Sequence, residues 1–146
     1  MKDEAQPITV KQTFKAPIKT VWKAITEVEQ MRLWFFEDIK AFEPEVGFET
    51  QFDVAVEDKV FPHLWKIMEV VPEQKITYNW KYKGFKGDSW VTFELSEFDS
   101  GTQVLLTHIG MESFPQEIPE FSRESCQGGW EYFIQQQLKA YLNQKA

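Results

Sequence analysis

The side chains that could carry out chemistry in this chain are few. Its 146 residues include two histidines, His63 and His108, and one cysteine, Cys126. A zinc site usually needs four nitrogen or sulfur ligands, or three ligands and a water molecule, and these residues show no ligand spacing. The sequence also lacks a glycine-rich phosphate loop and a G-x-S-x-G nucleophile elbow. We therefore expect no metal site and no cofactor.

Acid–base chemistry is the one catalytic possibility that these residues leave open. His108 lies near the end of a strand-like segment, and a histidine with a pKa near 6.5 can move protons at neutral pH. Tyr78 could serve as a second acid or base. An enzyme would need such groups to converge inside a cavity, and the alternative is a core histidine with satisfied hydrogen bonds. The sequence assigns no catalytic residue and favours a protein without catalytic activity over an enzyme.

The triplet Gly128-Gly129-Trp130 lies inside a segment that otherwise has the pattern of a long amphipathic helix, from about residue 120 to residue 143. Each glycine inside a helix costs roughly 1 kcal/mol relative to alanine, so a space kept open is one reason to keep it. Gly129 lies at the margin of the apolar face, and Gly128 lies nearer the opposite side. We predict that Gly129 opens space beneath the helix. The predicted face comprises Cys126, Trp130, Phe133, Ile134, Leu138 and Tyr141.

The segments before this helix predict a sheet and two short helices. Alternating apolar and polar residues predict six strands, over residues 8–15, 48–56, 60–71, 76–82, 90–98 and 102–109. Short connections favour antiparallel pairing. Pro17 and the spacing of the apolar residues after it predict a first short helix. A capping box formed by Thr26 and Glu29 predicts the start of a second, and Pro62 predicts an edge or a bulge.

Composition and charge restrict the classes of partner. With 16 basic and 23 acidic residues, the net charge of -7 repels a phosphate backbone, so we expect no nucleic acid partner. No stretch approaches the ~20 apolar residues of a membrane span. The length fits one domain over residues 8–146 after a disordered lead-in over residues 1–7. A single cysteine and a polar N-terminus without a signal peptide predict a cytoplasmic location.

Aromatic residues make up 16% of the chain, and two readings of them stay open. They could fill a solid core between sheet and helix, or they could line a pocket for an apolar or planar ligand. Gln137 could pair with a strand or contact a ligand, and Arg32 and Arg123 could anchor a ligand carboxylate or remain solvated. The candidates for lining a cavity are Phe52, Val54, Tyr78, Trp80, Phe93, His108, Trp130, Phe133, Ile134 and Gln137.

Several short motifs stand in a particular order along residues 8–142. They are Ala16-Pro17 with Val21-Trp22, Leu33-Trp34, Gly47-Phe48, Glu69-Val70-Val71-Pro72 with Ile76-Thr77-Tyr78-Asn79-Trp80, Gly101-Thr102 with Leu105-Leu106-Thr107-His108, and Gly129-Trp130. Together they resemble the START-like superfamily, also called Bet v 1-like or SRPBCC. Within it, the chain is most similar to the branch named for the C-terminal domain of the Hsp90 ATPase activator Aha1.

The resemblance implies an α+β helix-grip fold, in which a curved antiparallel β-sheet wraps around a long C-terminal helix and two short helices lie between the first two strands. Such proteins commonly enclose a hydrophobic cavity, and a fold of this kind does not select one function. The leading hypothesis is non-catalytic binding of a small hydrophobic or aromatic ligand. The alternatives are a cyclase or hydratase acting on an apolar substrate, and a protein-interaction module related to Hsp90 co-chaperones. We expect Hsp90 to be a less favoured partner than a small apolar ligand, because the chain has no room for the activator's separate N-terminal domain.

Overall fold

The computed structural model describes residues 7–145 and contains one sheet of six antiparallel strands. The spatial order is β1-β6-β5-β4-β3-β2, so β2 to β6 form a continuous meander and β1 joins it beside β6. The α+β fold predicted from the sequence is confirmed. Of the expected lead-in, residues 1–6 lie outside the described part of the chain. The strands are β1 Ile8–Phe14, β2 Glu49–Val56, β3 Lys59–Val71, β4 Lys75–Tyr82, β5 Ser89–Phe98 and β6 Gly101–Ile109.

The helices are placed as the helix-grip arrangement requires. Two short helices, α1 over Ile18–Thr26 and α2 over Val28–Trp34, connect β1 to β2. The C-terminal helix consists of α3 over Arg123–Glu131, a π-helical segment over Tyr132–Leu138 and α4 over Lys139–Lys145. One layer of helix therefore covers one face of one sheet, which buries the apolar surfaces of both.

Local capping differs from the prediction at the start of α2. Thr26 is the last residue of α1, and its hydroxyl donates to the Trp22 carbonyl oxygen at 2.7 Å, so it does not cap α2. Glu27 occupies the N-cap of α2 without a side-chain cap. The C-terminal helix begins after a 3₁₀ turn, where the Ser122 hydroxyl accepts from the Ser125 amide at 3.1 Å. A serine cap satisfies one of the free amides of the first helical turn.

Pro62 marks neither an edge strand nor a bulge. Strand β3 lies between β2 and β4, and its register shift falls between Ile67 and Glu69. The pairing of β3 with β4 ends at His63, one residue after the proline. The Pro62 carbonyl oxygen still accepts from the Lys83 amide at 3.0 Å, so the proline lacks only the reciprocal bond at the end of this ladder.

The π-helical segment changes which residues of the C-terminal helix face the sheet. The buried residues of the C-terminal helix are Trp130, Ile134, Leu138 and Leu142. The regular helical pattern predicted Tyr141, not Leu142, as the last residue of the buried face. Tyr141 is only partly buried. A π turn acts as an inserted residue within an α-helix, so every later position rotates by one residue. Leu142 consequently takes the place that a straight α-helix would have given to Tyr141.

Candidate functional site

A cavity of about 290 Å³ lies between the inner face of the sheet and the first part of the C-terminal helix. Strands β2, β3, β4 and β6 form one side, and α3 with the turn before it forms the other. Most of the lining is apolar and aromatic, which suits a small organic molecule. The lining residues are Phe36, Val54, Val56, Phe61, His63, Trp80, Tyr82, His108, Glu120, Phe121, Ser125, Cys126, Gly129, Trp130 and Phe133.

Gly129 forms part of this lining, and the space beside it is open. A Cβ atom built at Gly129 would meet no atom within 4 Å outside its own helix. At Gly101, by contrast, a Cβ atom would lie 1.9 Å from the Phe14 carbonyl oxygen. Gly128 also has nothing within 4 Å, but it is exposed and does not line the cavity. A side chain at position 129 would therefore project into the cavity, and one at position 128 would not.

The structure divides the ten cavity-lining candidates into two groups. Five of them line the cavity described above: Val54, Trp80, His108, Trp130 and Phe133. Four others fill the core: Phe52, Tyr78, Phe93 and Ile134 are each at most 1% exposed. Gln137 is partly buried in the π-helical segment, outside the cavity lining. As ligand contacts, all ten stay predictions.

His108 is fixed by a chain of hydrogen bonds that uses both ring nitrogens. The indole N–H of Trp130 donates to His108 Nδ1 at 3.0 Å, so the proton of the neutral ring is on Nε2. That Nε2–H donates to the Ser89 hydroxyl at 3.0 Å, and the hydroxyl donates to the Trp80 carbonyl oxygen at 2.7 Å. Burial lowers the pKa of His108 to about 4. The ring is a neutral structural group with no free lone pair for acid–base work.

Tyr78 is sealed away from the cavity. Its ring is fully buried and lies against Trp65 and Phe93, with centroid distances of 4.9 and 6.0 Å. Its hydroxyl has no hydrogen-bond partner within residues 7–145. Burial raises the pKa of this hydroxyl above its ordinary value of 10. Of the two residues expected as acid or base in an enzyme, Tyr78 is thus sealed in the core and His108 has both ring nitrogens paired.

His63 is a cavity residue that the sequence reasoning missed as a ligand contact. Its Nδ1 lies 2.8 Å from the Phe61 carbonyl oxygen, and since a carbonyl can only accept, Nδ1 carries the proton. Nε2 is then an acceptor. Burial lowers the pKa of His63 to about 4, against smaller opposing effects of this hydrogen bond and of Asp53. The ring is therefore neutral at pH 7.

A sequence signal for His63 was present. In β3 the residues Phe61, His63, Trp65 and Ile67 alternate with more exposed neighbours, and all four are buried. A strand places every second side chain on the same face. The histidine is thus on the inward face with three large apolar residues. Tyr82 follows from the same alternation in β4, two residues after Trp80.

The Tyr82 hydroxyl is the second polar group beside His63, and their ring centroids are 4.8 Å apart. Burial raises the pKa of Tyr82 above its ordinary value, so the hydroxyl stays protonated. The Trp80 indole is close enough to lower that pKa in part, yet its N–H makes no hydrogen bond within the described chain. An indole outside hydrogen-bond range contributes only a weak dipole, so burial decides the protonation of the Tyr82 hydroxyl.

The cavity mouth carries one ion pair. Lys59, the first residue of β3, contacts the two carboxylate oxygens of Glu120 at 3.0 and 3.4 Å. This contact lowers the pKa of Glu120. Deeper in the wall, burial raises the pKa of the Cys126 thiol to about 11, so it remains a protonated, weakly polar group.

Neither arginine that could have anchored a carboxylate lines the cavity. Arg32 donates to the carbonyl oxygens of Ile39 and Lys40 at 2.6 and 2.8 Å, which ties α2 to the segment leading to β2. Arg123 donates to the Pro7 carbonyl oxygen at 3.0 Å. Both guanidinium groups hold the backbone in place, so these contacts give neither arginine a role in the cavity.

Other depressions in the surface are larger but unlike a binding cavity. One of about 390 Å³ lies over the outer face of β2 to β4, among Glu49, Gln51, Lys66 and Lys81. Another of about 820 Å³ lies beside β1 and α4. Both are lined largely by polar side chains facing solvent. Within residues 7–145, no group of histidine, cysteine and carboxylate side chains is arranged to hold a metal ion, and no helix has the length and apolar character to cross a membrane.

Comparison with known proteins identifies the family and the fold. The family model described as Activator of Hsp90 ATPase homolog 1-like protein matches residues 15–143. No curated protein matches the chain. Protein CV1439 from Chromobacterium violaceum is 21% identical over 93% of this chain and 96% of its own, with a TM-score of 0.78. DynU16, from the dynemicin biosynthetic locus, is 21% identical, and 99% of this chain matches 49% of it (TM-score 0.76). CalU16 from Micromonospora echinospora is 27% identical over 95% and 77% of the two chains, with a TM-score of 0.68.

Proposed function

This chain belongs to the family of Activator of Hsp90 ATPase homolog 1-like proteins, and on that premise we propose that it binds a small hydrophobic or aromatic ligand without catalysing a reaction. The binding site is the cavity beside Gly129. The observation that carries the proposal is an apolar space of about 290 Å³ under a helix position that has no side chain. Ligand pockets of roughly 300–1,000 Å³ are typical, so this one suits a ligand of two or three rings.

The chemistry of the wall supports binding rather than catalysis. Both ring nitrogens of His108 are paired, Nδ1 as acceptor and Nε2–H as donor, and the Tyr78 hydroxyl does not reach the cavity. The Cys126 thiol is kept protonated by burial, which raises its pKa to about 11. A nucleophile or base needs a free lone pair or an activating partner within hydrogen-bond reach. The one lone pair of His108 is already occupied, and within residues 7–145 the Tyr78 hydroxyl has no partner.

We also propose that residues 8–146 act as one domain in the cytoplasm. Within the described residues, Cys126 is a free thiol that is only partly buried, and such a thiol persists best in a reducing compartment. One of the similar folds is described as part of a biosynthetic locus. That description makes small organic compounds the first class of ligand to screen.

Gly129 lines the cavity and its neighbour Gly128 does not, so this pair of glycines allows the site to be tested. Replacing Gly129 with leucine fills the cavity, whereas replacing Gly128 with leucine adds a side chain on the exposed side of the same helical turn. Neither glycine has a positive φ, so both tolerate leucine. Naphthalene binding, measured by isothermal titration calorimetry and native mass spectrometry, is expected to be lost in Gly129→Leu and kept in Gly128→Leu.

Two results would contradict the proposal. If a panel of apolar compounds neither binds nor raises the melting temperature of the unmodified protein, the cavity is not a binding site. If Gly129→Leu binds as tightly as Gly128→Leu, the ligand sits elsewhere.

A second candidate, binding to Hsp90, is favoured by the family and by one surface feature. Trp90 and Ile109 are register partners on the outer face of the sheet, and they are 37% and 42% exposed. They form a small exposed apolar patch, and apolar patches that extend over more than a few hundred Å² mark protein contacts. A pulldown with Hsp90 and an ATPase assay, with Trp90→Ser as the variant, would test it. An unchanged ATPase rate and no capture would remove this candidate.

A further inference from the structure

The two buried histidines of this protein differ in one respect that bears on ligand choice. In His108 both ring nitrogens are paired with protein groups. In His63 only Nδ1 is paired, with the Phe61 carbonyl oxygen, and Nε2 has no hydrogen-bond partner among residues 7–145. A buried acceptor without a partner is costly, so a group of this kind inside a cavity is a place where a ligand can form a bond.

The Nε2 atom of His63 is not sealed in the core. The ring is 5% exposed and lines the cavity. The fully buried polar atoms without a partner in the described chain are Trp65 Nε1, the Tyr78 hydroxyl and Trp80 Nε1. His63 Nε2 also lacks a partner but is not one of these fully buried atoms, so it retains accessible surface. The cavity is the space that this ring lines.

The surroundings of His63 define what kind of group it can accept. Four rings enclose it, with centroid distances of 5.1 Å to Phe36, 5.1 Å to Phe52, 5.5 Å to Trp80 and 4.8 Å to Tyr82. Among the residues that the structure describes, no cationic side chain lines the cavity, and the one carboxylate that does, Glu120, is paired with Lys59. A ligand carboxylate would meet a lone pair and aromatic faces without compensation. An O–H or N–H donor on a flat ring would meet a matching acceptor.

We propose that His63 Nε2 is the specificity-determining acceptor of the cavity, and that the ligand is a neutral, flat aromatic molecule with a hydroxyl or similar donor that bonds to it. This inference rests on the proposed binding function and refines it. The neutral state of the ring at pH 7 supports it, since burial lowers the pKa of His63 to about 4. The aromatic rings supply contact area, and the histidine supplies the preference for a donor.

A set of matched probes separates this inference from binding itself. Naphthalene tests the apolar site, 2-naphthol adds a donor, 2-methoxynaphthalene keeps the oxygen but removes the donor, and 2-naphthoate introduces a charge. In isothermal titration calorimetry at pH 7, 2-naphthol should bind about tenfold more tightly than 2-methoxynaphthalene, which is the size of one net hydrogen bond. 2-Naphthoate should bind more weakly than both.

Two variants assign the preference to one residue. His63→Phe retains a ring of similar size within the four surrounding rings and should reduce the preference for 2-naphthol over 2-methoxynaphthalene below about twofold. Tyr82→Phe removes the neighbouring hydroxyl and should keep the preference. Should His63→Phe not fold, the ¹⁵N chemical shift of His63 Nε2 in the unmodified protein serves instead. It should move on addition of 2-naphthol and stay unchanged with naphthalene.

The possible outcomes have distinct meanings. If naphthalene and 2-naphthol bind equally well, the inference about His63 is overturned and the binding function stands. The same holds if the preference survives in His63→Phe, or is lost only in Tyr82→Phe. If no probe binds, the proposed function fails and this inference fails with it.

Discussion

The space beneath the C-terminal helix has an open end and a closed end. Under α3 the lining includes Gly129, and a cavity of about 290 Å³ remains. Under the π-helical segment and α4, the side chains of Ile134, Leu138 and Leu142 occupy the corresponding positions and are at most 2% exposed. Both ends face an aromatic sheet surface. The difference shows that a chain rich in aromatic residues leaves a cavity where the covering helix lacks a side chain.

The two ends also differ in how polar groups are treated. The Tyr78 hydroxyl and Trp65 Nε1 are fully buried without partners within the described chain, and so is Nε1 of Trp80, whose ring lines the cavity. His108 also lines the cavity, and both of its ring nitrogens are paired. At the open end, His63 keeps one acceptor that faces accessible space. The fully buried polar atoms bear on stability, whereas His63 Nε2, at the cavity, can bear on binding.

The largest expected effect is a difference in the free energy of unfolding between a substitution in the packed core and one in the cavity wall. Phe93 is 1% exposed in the closed core, whereas Phe133 is a partly buried wall residue of the cavity. Phe93→Ala should lower the free energy of unfolding by about 3–5 kcal/mol, because it leaves a new void in a packed region. Phe133→Ala should cost less than about 2 kcal/mol, since it enlarges an existing space. Urea unfolding measures both, and equal losses would contradict the distinction.

Acid should weaken the protein through both histidines. Their pKa values are lowered to about 4 in the folded state, against about 6.5 when unfolded. Between these values the unfolded chain binds more protons, so the stability present above pH 6.5 is lost as the pH falls toward 4. Each histidine should contribute a slope of up to about 1.4 kcal/mol per pH unit. Urea unfolding at pH 7, 6 and 5 measures it.

The His63→Phe variant shows how much of this pH dependence belongs to the open end. It should remove about half of the slope and leave the part that comes from His108. A free energy of unfolding that is constant between pH 7 and pH 5 would mean that neither ring is held neutral by burial.

The smallest expected effect concerns access to the open end. Lys59→Ala removes the ion pair with Glu120 at the mouth, and because the pair is exposed we expect little change in stability. Ligand exchange measured by NMR line shape should become faster by a few fold, as should exchange in the unmodified protein at high salt. Lys75→Ala breaks the pair with Glu69, away from the cavity, and serves as the control. Identical exchange rates in both variants would show that the mouth pair does not restrict entry.

Much of the fold could be predicted from the sequence because its signals are local. Strict alternation, as in β5 with Val91, Phe93 and Leu95 buried, identifies strands directly. The start of α2 was predicted wrongly because Thr26 bonds to the preceding turn of α1, an alternative that the capping pattern does not reveal. The π-helical segment was missed because a change from i+4 to i+5 hydrogen bonding leaves no clear mark in composition.

The candidate site was predictable only in part. Gly129 was found because glycine inside a helix needs a reason. Tyr78 and Phe93 share a face with cavity residues, and only the packing of neighbouring rings decides that they lie in the filled region. His63 was overlooked although its alternation with Phe61 and Trp65 was visible, since its significance depends on which ring nitrogen is paired. Such pairing is a tertiary property.

The most direct measurement of the central claim is a crystal structure determined under xenon pressure. Apolar cavities that are open to small atoms bind xenon. Our account predicts a xenon peak next to the Cα atom of Gly129, between the Trp80 and Phe133 rings, and no peak there in Gly129→Leu. A structure in which side chains close this space, or in which xenon binds only elsewhere, would contradict it.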